Sequence, residues 1–209
     1  MARKAEQSAR TKAALIEAGI ALFGERGYRA TSLKTVAEQA GITHGVIPFH
    51  FGNKEGLLLA VIETCFGRFF ESVLRPLSDP SRERDYGVGD LGAILDAQIT
   101  FGDRHPEVSR VFQVLMAEAI GSSPELRPHY RGFQERTHAL GCAWVREGIA
   151  KGALRPDLDV ESTVHAILSF LTGVRTHHLL AGLDRRSTHR AMLKILEAGV
   201  LAPAEGADR

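Results

Sequence analysis

The sequence predicts an all-α protein. Three observations carry that prediction. Apolar residues recur at intervals of three and four, as in Leu15, Ile16, Ile20 and Phe23 or Val160, Val164, Ile167 and Leu171, which is the period of a half-buried helix. Glycine and proline fall between these segments, at Gly27, Gly41, Pro76, Pro106, Gly121, Gly152 and Gly182, and Ser32, Asn53, Asp159 and Ser187 stand where N-caps belong. No stretch alternates with the period of a strand, and there is no internal repeat or low-complexity segment.

A first helix runs from about Ser8 to Arg26, with Leu15, Ile16, Gly19, Ile20, Leu22 and Phe23 at helical spacing, and stops at Gly27, where Tyr28 packs back. Ser32 caps a second helix that carries Leu33, Val36, Ala37 and Ala40 and ends at Gly41 in the left-handed conformation. Ile42 plugs the turn and Thr43 caps a third helix with Val46, Ile47 and Phe49. Helix, glycine turn, helix is a helix-turn-helix. A long helix from Lys54 to about Leu74 is apolar on more than one face, so it connects two domains, and Pro76 stops it. Residues 78–90 read as a loop. Helices follow over about 90–103, 106–120, 124–151, 159–183 and 187–201, and the terminal APAEGADR reads as a disordered tail. The expected domains are 1–53, the helix-turn-helix, and 54–209, a larger helical domain.

A second helix laid in a major groove presents its first residues to base edges. Here these are Thr43, His44, Gly45 and Val46, with Phe49 and His50 further along. Threonine and histidine hydrogen-bond bases, and Val46 suits a thymine methyl. Ser32, Lys34 and Lys54 are placed for phosphates. Residues 1–60 hold eight Lys/Arg against five Asp/Glu, while the remainder holds eighteen against twenty, so the front of the chain is its basic end. Arg3 and Lys4 are expected on a disordered arm.

Residues 11–62 resemble the DNA-binding domain of TetR-type transcriptional regulators. The resemblance rests on Leu22-Phe23, Arg26-Gly27-Tyr28, Ala30-Thr31-Ser32, Val36-Ala37, Ala40-Gly41-Ile42-Thr43, Gly45, Ile47, His50-Phe51 and Asn53-Lys54-Glu55 before Leu57-Leu58, in that order and spacing. It implies a homodimer that binds a palindromic DNA operator and a small-molecule ligand, most simply a repressor released by a largely apolar molecule. The family usually places two aromatics before the His-Phe pair, where this chain has Pro48 and Phe49. Proline at the fifth helical position removes the amide that would bond the His44 carbonyl and costs about 3 kcal/mol in a regular helix, which predicts a tightened, kinked or short recognition helix.

In the larger domain, Phe66, Phe69, Gln98, Phe101, Phe112, Met116, Thr137, His138 and Trp144 combine apolar bulk with a few polar anchors, the make-up of a ligand cavity. Plain core is the simpler reading of such stripes. On the last two helices Val164, Ile167, Leu171, Gly173 and Val174, then Met192, Ile195 and Leu196, suit a four-helix dimer interface. The resemblance supports that use, since the family usually dimerises through its last two helices. Folding back on their own domain is the alternative.

Apolar content of 44% and charged content of 24% are those of an ordinary globular protein, and no apolar run reaches membrane-spanning length. A cytoplasmic protein without cofactor is expected, with Cys65 and Cys142 as separate buried thiols. No nucleophile elbow, His-Glu-x-x-His helix or phosphate-binding loop is present. Gly87, Gly89 and Gly92 fit a dinucleotide spacing, but a polar stretch precedes them where a strand is required. Nine histidines include the pair His177-His178, with His165 upstream. Neighbours on a helix point about 100° apart, so the pair does not converge on one ion, and no metal is expected there. Two other readings stay open: a helical homodimer that binds a small molecule or metal behind an impaired DNA-binding module, and an all-α enzyme.

Overall fold

The first helix is broken where glycine is obligatory. In the computed structural model, which describes residues 2–78, 84 and 86–201, α1 spans Ala2–Ala30 with a break at Gly27, whose φ of 84° and ψ of 169° lie in a region reserved for glycine. The helix starts six residues before the expected Ser8, so Arg3 and Lys4 sit in its first turn rather than on a disordered arm. An i,i+4 ion pair between Arg10 and Glu6 supports this polar extension. Helix α2 is Leu33–Ala40, capped by Ser32, whose Oγ accepts from the Thr35 amide, and closed by Gly41 at φ 67°. A short α3, Val46–Phe51, and α4, Lys54–Phe69, follow, the latter capped by Asn53 through the Gly56 amide.

Past Phe69 the chain widens into a π turn, Phe70–Leu74, and then a one-turn α5, Arg75–Ser78. The expected single helix to Leu74 thus changes register first, and Pro76 lies inside α5 rather than ending α4. A proline ring fits a widened turn because the carbonyl it would crowd has moved aside. Helix α6 is Val88–Arg104 and holds Gly89 and Gly92 within it. Helix α7 is Pro106–Ile120 with proline in its first turn. A 3₁₀ turn, Pro124–Leu126, leads into α8, Arg127–Ala150. Asp159 caps α9, Val160–Ala181, which Gly182 closes in the left-handed conformation. Helix α10, Arg185–Val200, is capped by Asp184, one turn ahead of the expected Ser187, because the Asp184 carboxylate accepts both the Arg186 and the Ser187 amides. The expected loop at 78–90 and the tail after Leu201 lie largely outside the described residues.

The contacts define two compact units, Met1–Glu71 with His105–Gly132 and Ser72–Arg104 with Phe133–Arg209. In the first, α1 packs on α2, α4 and α7. Leu15, Ile20, Leu22 and Phe23 are buried there with Val36, Ile47, Leu57, Leu58, Val61, Val108 and Val111. The second has a core of Tyr86, Leu91, Cys142, Val145, Leu154, Val164, Leu196 and Val200. An isolated antiparallel bridge joins Leu154 to Leu201 and ties the α8–α9 connection to the end of α10.

Candidate nucleic-acid interface and internal cavity

In the first unit the geometry of the helix-turn-helix follows from its turn. The Gly41 and Ile42 amides turn back to carbonyls at the end of α2, Ile42 on Ala37 at 2.9 Å, the closing pattern of a glycine-stopped helix. Thr43, His44 and Gly45 then stand exposed. The Val46 amide bonds the Thr43 carbonyl at 3.0 Å and the Ile47 amide bonds the His44 carbonyl at 3.2 Å. These are i+3 bonds, a tightened turn. Helix α3 therefore begins at Val46 with Gly45 at its cap, and Thr43 makes no side-chain cap. Pro48 becomes the third helical residue, where the missing amide would have lacked an intrahelical partner in any case. The short, tightened helix expected from Pro48 is found, but the interior-proline cost of about 3 kcal/mol does not arise. Gly52 ends α3 by donating to the Pro48 carbonyl.

Ile47 anchors α3 in the core with no exposed surface, while Phe49 on the opposite side is 81% exposed. His50 and Val46 are half-buried, and the His50 ring meets Phe49 edge-on at 5.2 Å. Ser32 and Lys34 are exposed. The Ser32 hydroxyl is engaged with Thr35, and Lys34 stands 3.9 Å from Glu38. Lys54 is drawn inward, its Nζ 4.4 Å from the Tyr28 ring centre and 3.4 Å from the Arg29 carbonyl. Burial pulls its pKa down, against the opposing charge of Glu118. Glu118 is a residue sequence reasoning passed over. From α7 its carboxylate accepts the Tyr28 amide at 2.6 Å and the Arg29 amide at 3.2 Å. No local motif marks a carboxylate ninety residues away.

The second unit encloses a cavity of about 320 Å³, within the range of small-molecule sites. Leu91, Ile94 and Leu95 of α6, Leu140 of α8, Val164, Ile167 and Leu171 of α9 and Leu196 of α10 make its walls apolar. Gln98, Thr137 and Trp144 line it, as expected, together with Arg84 and Glu147, which lie 3.8 Å apart. The Thr137 hydroxyl is spent on the Phe133 carbonyl at 3.1 Å. The other expected residues lie outside this lining. Phe66, Phe69, Phe112 and Met116 belong to the first unit, with Phe69 and Phe112 in its buried set. Phe101 is buried on α6, one turn past Gln98. His138 instead joins Cys142 and Glu161.

The expected dimer stripe divides in the same terms. Val164, Leu171, Val174 and Leu196 are buried in their own unit, and Ile167 and Met192 are half-buried. These positions face the cavity and core because the second unit needs an apolar wall from α9 and α10. Gly173 and Ile195 do remain outward: a Cβ at Gly173 would meet nothing within 4 Å, and Ile195 is 65% exposed.

Comparison with known proteins fits both halves. A family model described as bacterial regulatory proteins, tetR family, matches residues 15–61. A second, the C-terminal part of BetI-type transcriptional repressors, matches residues 89–202. The chain is 40% identical over 180 residues to a probable HTH-type transcriptional regulator, ArpR, of Pseudomonas putida, covering 85% of this chain and 84% of that one. It is 29% identical over 168 residues to the HTH-type transcriptional repressor KstR2 of Mycobacterium tuberculosis, covering 77% and 78%. Among solved structures, the fatty acid degradation regulator FadR of Bacillus halodurans superposes with a TM-score of 0.75 at 20% identity, over 88% of this chain and 93% of that one.

Proposed function

The chain belongs to the tetR family of bacterial regulatory proteins and is a DNA-binding, ligand-responsive transcriptional repressor, and from that premise we propose which of its residues read the operator and which hold the effector. Thr43, His44, Gly45 and Val46 face base edges in a major groove, Phe49 and His50 flank them, and Ser32, Lys34 and Lys54 serve the phosphate backbone. The carrying observation is the turn after Gly41, which leaves Thr43 to Gly45 exposed at the start of a helix pinned by the buried Ile47. Residues 1–53 act as the operator-reading domain and 54–209 as the effector and dimerisation domain.

The effector is a small, largely apolar molecule seated in the cavity between α6, α8, α9 and α10. Its apolar part meets Leu95, Leu140 and Ile167 and its polar end meets Gln98 or Arg84. A relative concerned with fatty acid degradation supports the same class. Two copies pair through the outward faces of α9 and α10, which carry Gly173 and Ile195, and so read two half-sites about 34 Å apart or a multiple of that distance. Effector and operator weaken each other's binding by the same factor, about 5- to 150-fold for a coupling of about 1–3 kcal/mol. The family is one of regulators, not enzymes. No helix among the described residues is long and apolar enough to cross a membrane, and the protein works where the chromosome is, in the cytoplasm.

The test is selection of random duplexes by the purified protein at two salt concentrations. A palindromic site whose enrichment falls steeply as salt rises supports the assignment. Thr43→Ala or His44→Ala then changes the preferred bases at a cost of about 1–3 kcal/mol, and Lys34→Ala weakens all sites alike. A folded dimer that enriches no site overturns it.

A further inference from the structure

We infer that His138, Cys142 and Glu161 form a binding site for a divalent transition-metal ion of the zinc class. His138 and Cys142 are four residues apart on α8 and therefore share a face. Glu161 belongs to the first turn of α9, held there by the Asp159 cap. One ligand atom from each converges: Cys142 Sγ is 3.3 Å from Glu161 Oε2 and 3.7 Å from His138 Nε2, and Nε2 is 3.5 Å from Oε2. A tetrahedral ion with bonds of about 2.0–2.3 Å requires ligand separations of about 3.3–3.8 Å. All three separations lie in that range before any ion is introduced. Thiolate, imidazole and carboxylate together are the donor set of zinc and cobalt rather than of calcium or magnesium.

The surroundings complete the site. Cys142 is buried, His138 is half-buried and Glu161 opens to solvent, which gives an ion a way in. His165, one turn after Glu161 on α9, stacks its ring on His138 at 3.9 Å and points Nδ1 at the Glu161 carbonyl, 3.0 Å away. The Nδ1 contact holds His165 in place, and its stacked ring restricts rotation of the His138 ring. Arg146 engages Oε1 of Glu161 and leaves Oε2 to the cluster. Nε2 ligates only as the unprotonated nitrogen, so the proton sits on Nδ1 and the 3.3 Å contact between Nε2 and the Glu161 carbonyl oxygen gives way when the ion binds. Binding takes up the ion as Cys142 thiolate, neutral His138 and Glu161 carboxylate, with water in the fourth position, and releases the thiol proton to solvent. The ion joins α8 to the first turn of α9 at Glu161, three residues before Val164, a wall of the cavity. Occupancy of the ion site is thereby placed to alter the cavity's shape.

Cobalt is the probe. Full-length protein freed of metal with a chelator is titrated with Co²⁺. The expected result is one ion per chain, with the intense visible bands of tetrahedral cobalt and a thiolate charge-transfer band in the near ultraviolet, both removed by one equivalent of Zn²⁺. Cys142→Ser abolishes the charge-transfer band. Glu161→Gln, at an exposed position that does not threaten folding, weakens binding by at least the 10- to 100-fold typical of disturbed ligand shells. His177→Ala, on the same helix but outside the cluster, leaves the titration unchanged. A wild-type protein showing only the weak spectrum of hydrated cobalt overturns the inference. So does a tetrahedral spectrum that survives in both Glu161→Gln and Cys142→Ser.

Discussion

Truncating Glu118 should loosen the operator-reading unit without changing the identity of any residue assigned to DNA, although it also removes the charge that faces Lys54. Gly27 interrupts α1, so the next amides, Tyr28 and Arg29, lose their partners four residues back. The Glu118 carboxylate takes both, at 2.6 and 3.2 Å. A hydrogen bond to a charged group contributes about 1.5–3 kcal/mol. The Tyr28 bond is partly buried and belongs near the upper value, while the Arg29 bond is exposed and longer and adds less. Glu118→Ala should therefore cost about 3 kcal/mol, and Glu118→Gln, which keeps one acceptor oxygen, about half of that. For a chain of this size 1 kcal/mol shifts Tm by about 2–4 °C, so the alanine variant should melt about 6–12 °C lower. A double-mutant cycle makes the test specific. A Cβ at Gly27 would lie 2.6 Å from Glu118 Oε1, so part of the penalty of Gly27→Ala is collision with that carboxylate and disappears in the Glu118→Ala background. The rest is backbone strain of about 1–3 kcal/mol and stays. Urea unfolding followed by circular dichroism measures all four proteins. Glu118→Ala and Glu118→Gln both within 0.5 kcal/mol of the wild type, a margin about the size of an ordinary surface change, with strictly additive Gly27→Ala, would refute the role given to the carboxylate.

Three further outcomes are expected. Pro48→Ala should change stability by no more than about 1 kcal/mol, because the ring stands in the first turn of α3 and not in a helix interior; a gain or loss near 3 kcal/mol in the same unfolding assay would mean that α3 begins earlier than Val46. Burial pushes the His189 pKa below its ordinary value, outweighing the opposing effect of the Leu95 backbone and of Asp96, while Arg185 lowers it further. The folded protein therefore holds this ring neutral: its contribution is intact above the unfolded value of about 6.5 and is lost as pH falls through that value and the lower folded one. His189→Phe should flatten the fall in Tm between about pH 8 and 5, and a steeper fall in the variant would reverse the sign of the argument. Gly173→Arg adds bulk where a subunit has open space, so it should leave monomer folding intact and shift sedimentation from dimer to monomer; a dimer of unchanged stability would move the interface away from this face.

Local rules made the helix-turn-helix legible. Ser32 could be read as a cap, Gly41 as a left-handed stop and Pro48 as a reason for a short third helix, because each acts through atoms within four residues. The association of α1 with α7 was not legible. The stripes of Leu15, Ile20 and Phe23 and of Val108, Val111 and Phe112 each state that a helix is covered, and a period of 3.6 says nothing of which other helix covers it. Of the expected ligand residues Gln98, Thr137 and Trp144 line the cavity, and the others miss it for the same reason. Phe69 and Phe112 are as apolar as Leu95 and Ile167, yet the first pair fills a core and the second borders a cavity. His138 and Cys142 carried a visible i,i+4 spacing; Glu161 came from a different helix, and only the fold brought it within 3.3 Å of the thiol.

Helix α9 shows why the apolar stripe misled. Val164, Ile167, Leu171 and Val174 are its strongest periodic signal, and the unit spends that signal inward, three of the four on the cavity wall. Among the residues turned away from that wall are Ala166, Ser169, half-buried Gly173 and Leu180, together with Ile195, Ala198 and Gly199 on α10, small residues with isolated large ones. Small side chains are what allow helices of two subunits to approach to about 8 Å, and large ones would hold them apart. A partner surface on α9 is therefore expected to look less hydrophobic than the wall behind it. Because the two faces belong to one helix, a molecule that displaces Ile167 from inside should also displace Gly173, six residues on. The proposed effector cavity and the proposed dimer face then share one helix, and the response to effector should appear first as a change in dimer geometry.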